Sequence, residues 1–202
     1  MRTRPGLAAP DLQQLISPIS FQARLWFPGW RTSAGRIFSI AHVLLHPESR
    51  GWVKLRSPEP HDKPRIQFNL LEAEADRAAF HRFIAHTRRF FATAPASGLV
   101  AGEIQPGEEV RSSADVDAYL RANVGTAMHP TSTCAMGAEA DAVLDESLRV
   151  RGVSRLRVVD ASVMPLIVGG NTNAPVIMIA EKAADLIRQS RVHAGRTASA
   201  AA

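Results

Sequence analysis

A histidine lies in an irregular stretch of small and hydroxyl-bearing residues, 125–137, which reads GTAMHPTSTCAMG. Histidine is the side chain best suited to take a proton from a hydroxyl group near neutral pH, so His129 is a candidate general base. The residues alone also fit the more ordinary case of a structural or solvated loop histidine. The stretch therefore indicates either proton transfer from a substrate hydroxyl or a loop without chemistry.

His129 and Cys134 are both good metal ligands, but they are the only two in this stretch. A zinc site takes three or four ligands, and the other histidines show no paired spacing of the H-E-x-x-H kind. A cysteine nucleophile needs a neighbouring cation to stabilise its thiolate, and none stands beside Cys134. We therefore expect neither a metal site nor a cysteine nucleophile.

A second group of polar residues occupies 160–175, which begins DASVMP and ends GGNTNAP. Glycines followed by Asn and Thr at the start of a helix expose backbone N–H groups, and such groups suit an anion or a polar ring. Asn and Thr are also ordinary helix caps, so the pattern fits a purely structural role as well.

Three helices are predicted to position these residues. Apolar residues recur at three- and four-residue steps over 72–94, with acidic residues in the first turn and Pro95 after the end. Ser113 is predicted to cap a second helix over 114–123. The last helix is predicted to begin at Thr172 or Asn173 and to end at Gln189.

Short runs of β-branched and aromatic residues predict several strands. Residues 40–45 and 52–55 flank a turn-rich stretch and predict a hairpin, and 65–70 predict a third strand. Two more short strands are expected at 147–150 and 156–159. We therefore expect an α+β fold with a largely antiparallel sheet flanked by helices.

The composition is that of an ordinary globular chain: 202 residues, 46% hydrophobic and 21% charged. No apolar run reaches the roughly 18 residues of a membrane span, so no membrane association is expected. The net charge of +5 comes from scattered arginines rather than a basic run, which argues against nucleic-acid binding. A single cysteine and the absence of a secretory signal favour the cytoplasm.

Four motifs in order carry a family resemblance: HPTSTCAMG at 129–137, SLRVRGV at 147–153, LRVVDASVMP at 156–165 and GNTNAP at 170–175. With HPESRGWVKLRS at 46–57, they resemble the glucose-methanol-choline oxidoreductase family over about residues 40–190. The resemblance implies an FAD-dependent enzyme that oxidises a small-molecule alcohol by passing hydride from its carbon to flavin N5.

The resemblance also assigns roles to individual residues. His129 matches the catalytic histidine that accepts or orients the hydroxyl proton, and Asn171 matches the second catalytic position, where it would hydrogen-bond the substrate oxygen. The positions implied to contact FAD are Met128, Asp160, Ala161, Thr172 and Asn173. Two departures lie beside His129: Ser132 replaces the usual glycine, and Ala135 replaces a frequent basic residue.

Members of this family open with a G-x-G-x-x-G fingerprint that grips the ADP part of FAD, and the 202 residues contain none. We therefore expect the carboxy-terminal part of such an enzyme, whose final strand and helix segment would pack on a Rossmann-like FAD-binding domain, in the same or in a separate polypeptide. The alternative is a non-catalytic relic or interaction module without cofactor. The expected domains are a lead-in at 1–20, a substrate-binding domain at 21–125, a catalytic and FAD-contacting segment at 126–190 and a disordered tail at 191–202.

Overall fold

The computed structural model describes residues 1–17 and 37–200, and the chain forms two compact units. Unit 1 comprises Met1–Arg50 and Asn69–Gly125, and unit 2 comprises Gly51–Phe68 and Thr126–Ala202. Helices are combined with two small antiparallel sheets, so the α+β prediction is confirmed. The expected boundary between residues 20 and 21 lies outside the described residues, and the other expected domain boundaries stay predictions.

The predicted hairpin between 40–45 and 52–55 is wrong. Strand β2 (Ser39–Leu44) pairs instead with β1 (Leu12–Ser17), an antiparallel partner that the sequence analysis missed. Strand β3 (Trp52–Lys54) pairs with β4 (Arg65–Gln67), which is the predicted third strand in shortened form. The strands were recognisable from their composition, whereas their partners depended on contacts far apart in the chain.

The stretch between β2 and β3 does not close a hairpin because it binds the start of helix α1 (Glu74–Phe91). The buried carboxylate of Asp76 accepts the backbone N–H groups of Glu48 and Ser49 at 2.8 and 2.9 Å. In return, the Ser49 hydroxyl accepts the N–H of Ala73 at 3.0 Å. This exchange caps α1, which has no side-chain cap of its own at Ala73.

We expect Asp76→Ala to lower the free energy of unfolding of unit 1 by about 2–3 kcal/mol, because two backbone N–H groups lose a charged acceptor. Glu74→Ala is the matched control: Glu74 lies in the same helical turn, but its side chain is 81% exposed. Urea unfolding followed by circular dichroism measures both changes. Equal effects of the two substitutions would contradict a capping role for Asp76.

The core of unit 1 lies around α1 and α2 (Ser113–Asn123). Helix α2 is capped by Ser112, whose hydroxyl accepts the N–H of Asp115 while the Asp115 carboxylate accepts the N–H of Ser112. The predicted cap, Ser113, is therefore off by one residue. Across the two helices, the His81 imidazole hydrogen-bonds the Asp117 carboxylate at 2.7 Å. The buried residues of its two apolar clusters are Leu12, Leu71, Ala79, Phe83, Ile84, Val116 and Leu120.

Unit 2 is built on helix α3 (Asn173–Ala200) and a 3-10 helix (Ala161–Val163). Its buried core consists of Leu144, Leu148, Val163, Met164, Ile179 and Ala183. The strands predicted at 147–150 and 156–159 are reduced to isolated bridges, including one between Arg149 and Arg157. The surrounding turns are too tight for a continuous ladder, since Leu148 and Arg155 both adopt a left-handed backbone conformation.

Helix α3 begins at Asn173, as predicted, but it continues to Ala200 instead of ending at Gln189. The helix thus covers residues 191–200, where a disordered tail was predicted, and the tail as a domain division stays a prediction. Residues 201 and 202 lie outside the described part. Alanine and arginine are good helix formers, which favours the longer helix. Within the described residues, no helix has the length and apolar character that crossing a membrane requires.

Candidate active site

The motifs singled out from the sequence share one hydrophobic core in unit 2. Partly buried Cys134, Ala161 and Val176 all pack against the buried cluster that includes Leu144 and Val163. Cys134 lies in the histidine motif, Ala161 follows Asp160, and Val176 lies in the first turns of α3. The fold therefore fixes the three candidate segments on a common support.

Backbone hydrogen bonds join the end of the histidine motif to the Asp160 segment. The N–H of Cys134 donates to the Ser162 carbonyl at 3.0 Å, and the N–H of Met136 donates to the Val163 carbonyl at 2.9 Å. The Asp160 carboxylate in turn accepts the N–H of Ser162 at 2.8 Å and so caps the 3-10 helix. Asp160 itself is exposed, so its other carboxylate oxygen faces solvent or a ligand.

Asp145 holds the turn beneath these segments. One of its carboxylate oxygens accepts the N–H groups of Arg149 and Ser147 at 2.9 and 2.8 Å. The hydrogen bond from the Arg149 N–H is the main cause that holds the pKa of Asp145 below its ordinary value, with Ser147 adding to it. The turn places Leu148 in the core at a φ of 61°. The sequence analysis missed Asp145, although Asp before a Ser-containing turn is a typical Asx-turn signal.

His129 is half-buried, and among the described residues its imidazole has no hydrogen-bond partner. Met128 before it is 79% exposed and has a φ of 59°, a conformation that is uncommon outside glycine. Non-glycine residues held in this region often mark functional sites. Within the described part, the structure shows no hydrogen bond between His129 and Asn171.

The start of α3 presents unused hydrogen-bond donors. The Thr172 carbonyl accepts the first helical bond, from the N–H of Val176 at 3.0 Å. Within the described part of the chain, the backbone N–H groups of residues 171–174 have no acceptor. Asn171 and Asn173 are exposed, whereas the Thr172 side chain is buried at 9% exposure. Free N–H groups and a helix dipole together favour an electron-rich oxygen or a polar ring.

Ser132, which replaces the family's usual glycine, has a φ of 73°. A side chain in this left-handed region costs free energy that glycine does not. We expect Ser132→Gly to raise the free energy of unfolding by about 0.5–1 kcal/mol. Ser132→Ala, which keeps the Cβ but loses the hydroxyl contact with Thr131, should bring no such gain. Thermal unfolding of the two variants compares them, and equal stability would contradict backbone strain at this position.

Within the described residues, no three His, Cys, Asp or Glu side chains lie close enough together to hold one metal ion. Cys134 is half-buried, and it does not form a disulfide. The polar groups that the candidate segments present are therefore the His129 imidazole, the exposed amides of Asn171 and Asn173, and the N–H groups at the start of α3.

Residues 47–180 match the family model described as GMC oxidoreductase. The oxygen-dependent choline dehydrogenase of Vibrio vulnificus is 44% identical over 189 residues, which cover 93% of this chain and 33% of that protein. Among solved structures, pyridoxine 4-oxidase from Mesorbium loti superposes with a TM-score of 0.80 at 32% identity, covering 94% of this chain and 37% of the other. An FAD-dependent oxidoreductase from Chaetomium thermophilum gives a TM-score of 0.70 at 27% identity, covering 76% and 27%.

The chain thus spans about a third of the length of the curated relatives it matches. The family match covers the hairpin of β3 and β4, helices α1 and α2, and the whole of the candidate site up to Ala180. The order of the sequence motifs and the superposition of the fold indicate the same family. The chain belongs to the GMC oxidoreductase family and corresponds to its carboxy-terminal portion.

Proposed function

We propose that this chain is the substrate-side part of an FAD-dependent oxidoreductase that acts on the CH–OH group of a small alcohol. The observation that carries the proposal is the set of N–H donors at the start of α3 that have no acceptor among the described residues, on the same core as the histidine motif. Because the chain belongs to this family, we expect those donors and that histidine to take part in the same reaction.

His129 acts in this proposal as the base that accepts the hydroxyl proton of the alcohol. Asn171 donates an amide hydrogen bond to the same oxygen. Removing the proton makes the oxygen alkoxide-like, and a fixed donor stabilises the developing negative charge. FAD, when bound, accepts the hydride that leaves the alcohol carbon. The half-buried imidazole without a partner and the exposed amide support these two roles.

The donors at the start of α3 fit the flavin. Its ring carries carbonyl oxygens and ring nitrogens that accept hydrogen bonds, and residues 171–174 offer four N–H groups without acceptors in the described structure. Because its side chain is buried, Thr172 would contact the cofactor through its N–H, whereas Asn173 can also use its exposed amide. Asp160 and Ala161 would bind beside it, and Met128 would present backbone atoms from its left-handed turn.

An amino-terminal flavin-binding part, either in the same polypeptide or separate, would complete the site. Unit 2 exposes large apolar side chains close in sequence to the candidate residues: Leu166 is 67% exposed, Ile177 55% and Met178 59%. Exposed apolar groups of this size commonly mark a binding surface. The comparisons do not favour the alternative of a relic without cofactor, since the matched relatives are named as dehydrogenases and oxidases.

The test is flavin retention on gel filtration, with the chain alone and with an amino-terminal polypeptide that carries the nucleotide-binding fingerprint. We expect flavin absorbance to accompany the complex and a suitable alcohol to bleach it. Choline is the first substrate to try, because the Vibrio vulnificus relative is named a choline dehydrogenase. Loss of flavin under both conditions, with the chain still folded by circular dichroism, would refute the proposal.

A further inference from the structure

Within the described residues, one hydrogen bond holds the backbone around His129. Between Val124, whose N–H donates to Leu120, and Cys134, whose N–H donates to Ser162, the chain runs through residues 125–133. In that stretch, the only backbone group that forms a hydrogen bond with a described residue is the N–H of Met128. It donates to the Thr126 hydroxyl at 3.1 Å. Among the described residues, this hydroxyl is therefore the one hydrogen-bonding group that supports the backbone just before His129.

Packing does not replace that bond. Met128 is 79% exposed, so its side chain supplies little burial energy to hold the φ of 59°. A hydroxyl that accepts the N–H two residues ahead stabilises a local turn at such a position. On the other side, Pro130 restricts the backbone of His129 and disfavours its α conformation. Thr126 and Pro130 thus limit the backbone of His129 from both directions.

We infer that Thr126 is a positioning residue that sets the direction of the His129 imidazole through the turn at Met128. The inference rests on the proposed function, in which His129 takes the substrate proton. The imidazole has no hydrogen-bond partner of its own in the described structure, so its placement follows from the backbone. Proton transfer is sensitive to such placement, because the base must lie within hydrogen-bond reach of the hydroxyl.

Three variants of the flavin-loaded complex test the inference. Thr126→Val keeps the shape of the side chain but removes the hydroxyl, and we expect kcat to fall about five- to tenfold with little change in KM. Thr126→Ser keeps the hydroxyl and should retain the wild-type rate. Thr133→Val is the matched control, since Thr133 is exposed and its hydroxyl has no partner among the described residues. A Thr126→Val rate equal to that of Thr133→Val would overturn the inference.

A second comparison separates positioning from general damage. In a His129→Gln background, Thr126→Val should change kcat by less than about twofold, because the group that it positions is already lost. An equal loss in both backgrounds would show that Thr126 acts independently of His129. If His129→Gln leaves the rate unchanged, the proposed function itself fails and the inference falls with it.

Amide hydrogen exchange by NMR on the 202-residue chain gives a readout that needs no flavin. Exchange at Met128 should be slower in the wild type and in Thr126→Ser than in Thr126→Val, whereas Thr133→Val should match the wild type. Unchanged exchange in Thr126→Val would show that the hydroxyl does not hold the turn, whatever the activity of His129.

Discussion

Replacing His129 with glutamine should lower the rate at which an alcohol reduces the flavin by about 10²- to 10⁴-fold. Glutamine keeps a polar side chain of similar reach but cannot accept a proton from the substrate. The alcohol would then have to lose its hydride before its oxygen carries negative charge, which raises the barrier. Stopped-flow measurement of flavin bleaching in the loaded complex gives the rate directly.

His61→Gln is the matched control for this substitution. His61 is an exposed histidine in the loop between β3 and β4, in the same unit as His129 but outside the candidate site. We expect the rate of flavin reduction in His61→Gln to equal that of the wild type. A similar loss in both variants would indicate a general effect on the complex, and an unchanged rate in His129→Gln would remove His129 from the role of base.

Phe83→Ala should lower the free energy of unfolding of unit 1 by about 3–5 kcal/mol. The Phe83 side chain is fully buried at 0% exposure and packs in the cluster with Leu12 and Ala79. Its ring meets Phe80 edge-on at a centroid distance of 5.3 Å. Truncation removes this contact and leaves a cavity that the short strands and α1 cannot fill without moving.

Phe90→Ala on the same helix provides the comparison. The Phe90 side chain is 56% exposed, and its main aromatic contact is Phe91, at a centroid distance of 5.0 Å. We expect Phe90→Ala to lower the free energy of unfolding by about 1 kcal/mol or less. The urea midpoint measured by circular dichroism ranks the two variants. If Phe90→Ala were as destabilising as Phe83→Ala, burial would not explain the stability of this core.

The helices could be predicted from the sequence because their signals are local. Apolar spacing identified α1, and a serine cap identified α2 to within one residue. The pairing of strands is not local: β2 pairs with β1, and its expected partner β3 pairs with β4. The carboxylate of Asp76 on α1 binds the stretch between β2 and β3, and hydrophobic periodicity in the sequence does not predict this contact.

The candidate residues of the site could be named from motifs, but their geometry could not. Asn171 and Thr172 are adjacent in the sequence, yet one side chain is exposed and the other is buried. The conformation of Ser132 could be anticipated only from the glycine that it replaces. The bond from Met128 to Thr126 had a local signal in the Thr-x-Met spacing, but the lack of another backbone bond nearby to any described residue was visible only in the structure.

The path of the chain between the two units has a consequence for synthesis on the ribosome. Unit 2 takes Gly51–Phe68 from the middle of the chain and Thr126–Ala202 from its end. The hairpin of β3 and β4 therefore emerges well before the helix that completes its unit. Until translation passes Gly125, the nascent chain carries that hairpin without the remainder of its unit. Slowed translation beyond codon 125 should lengthen this interval and increase aggregation of the newly made protein.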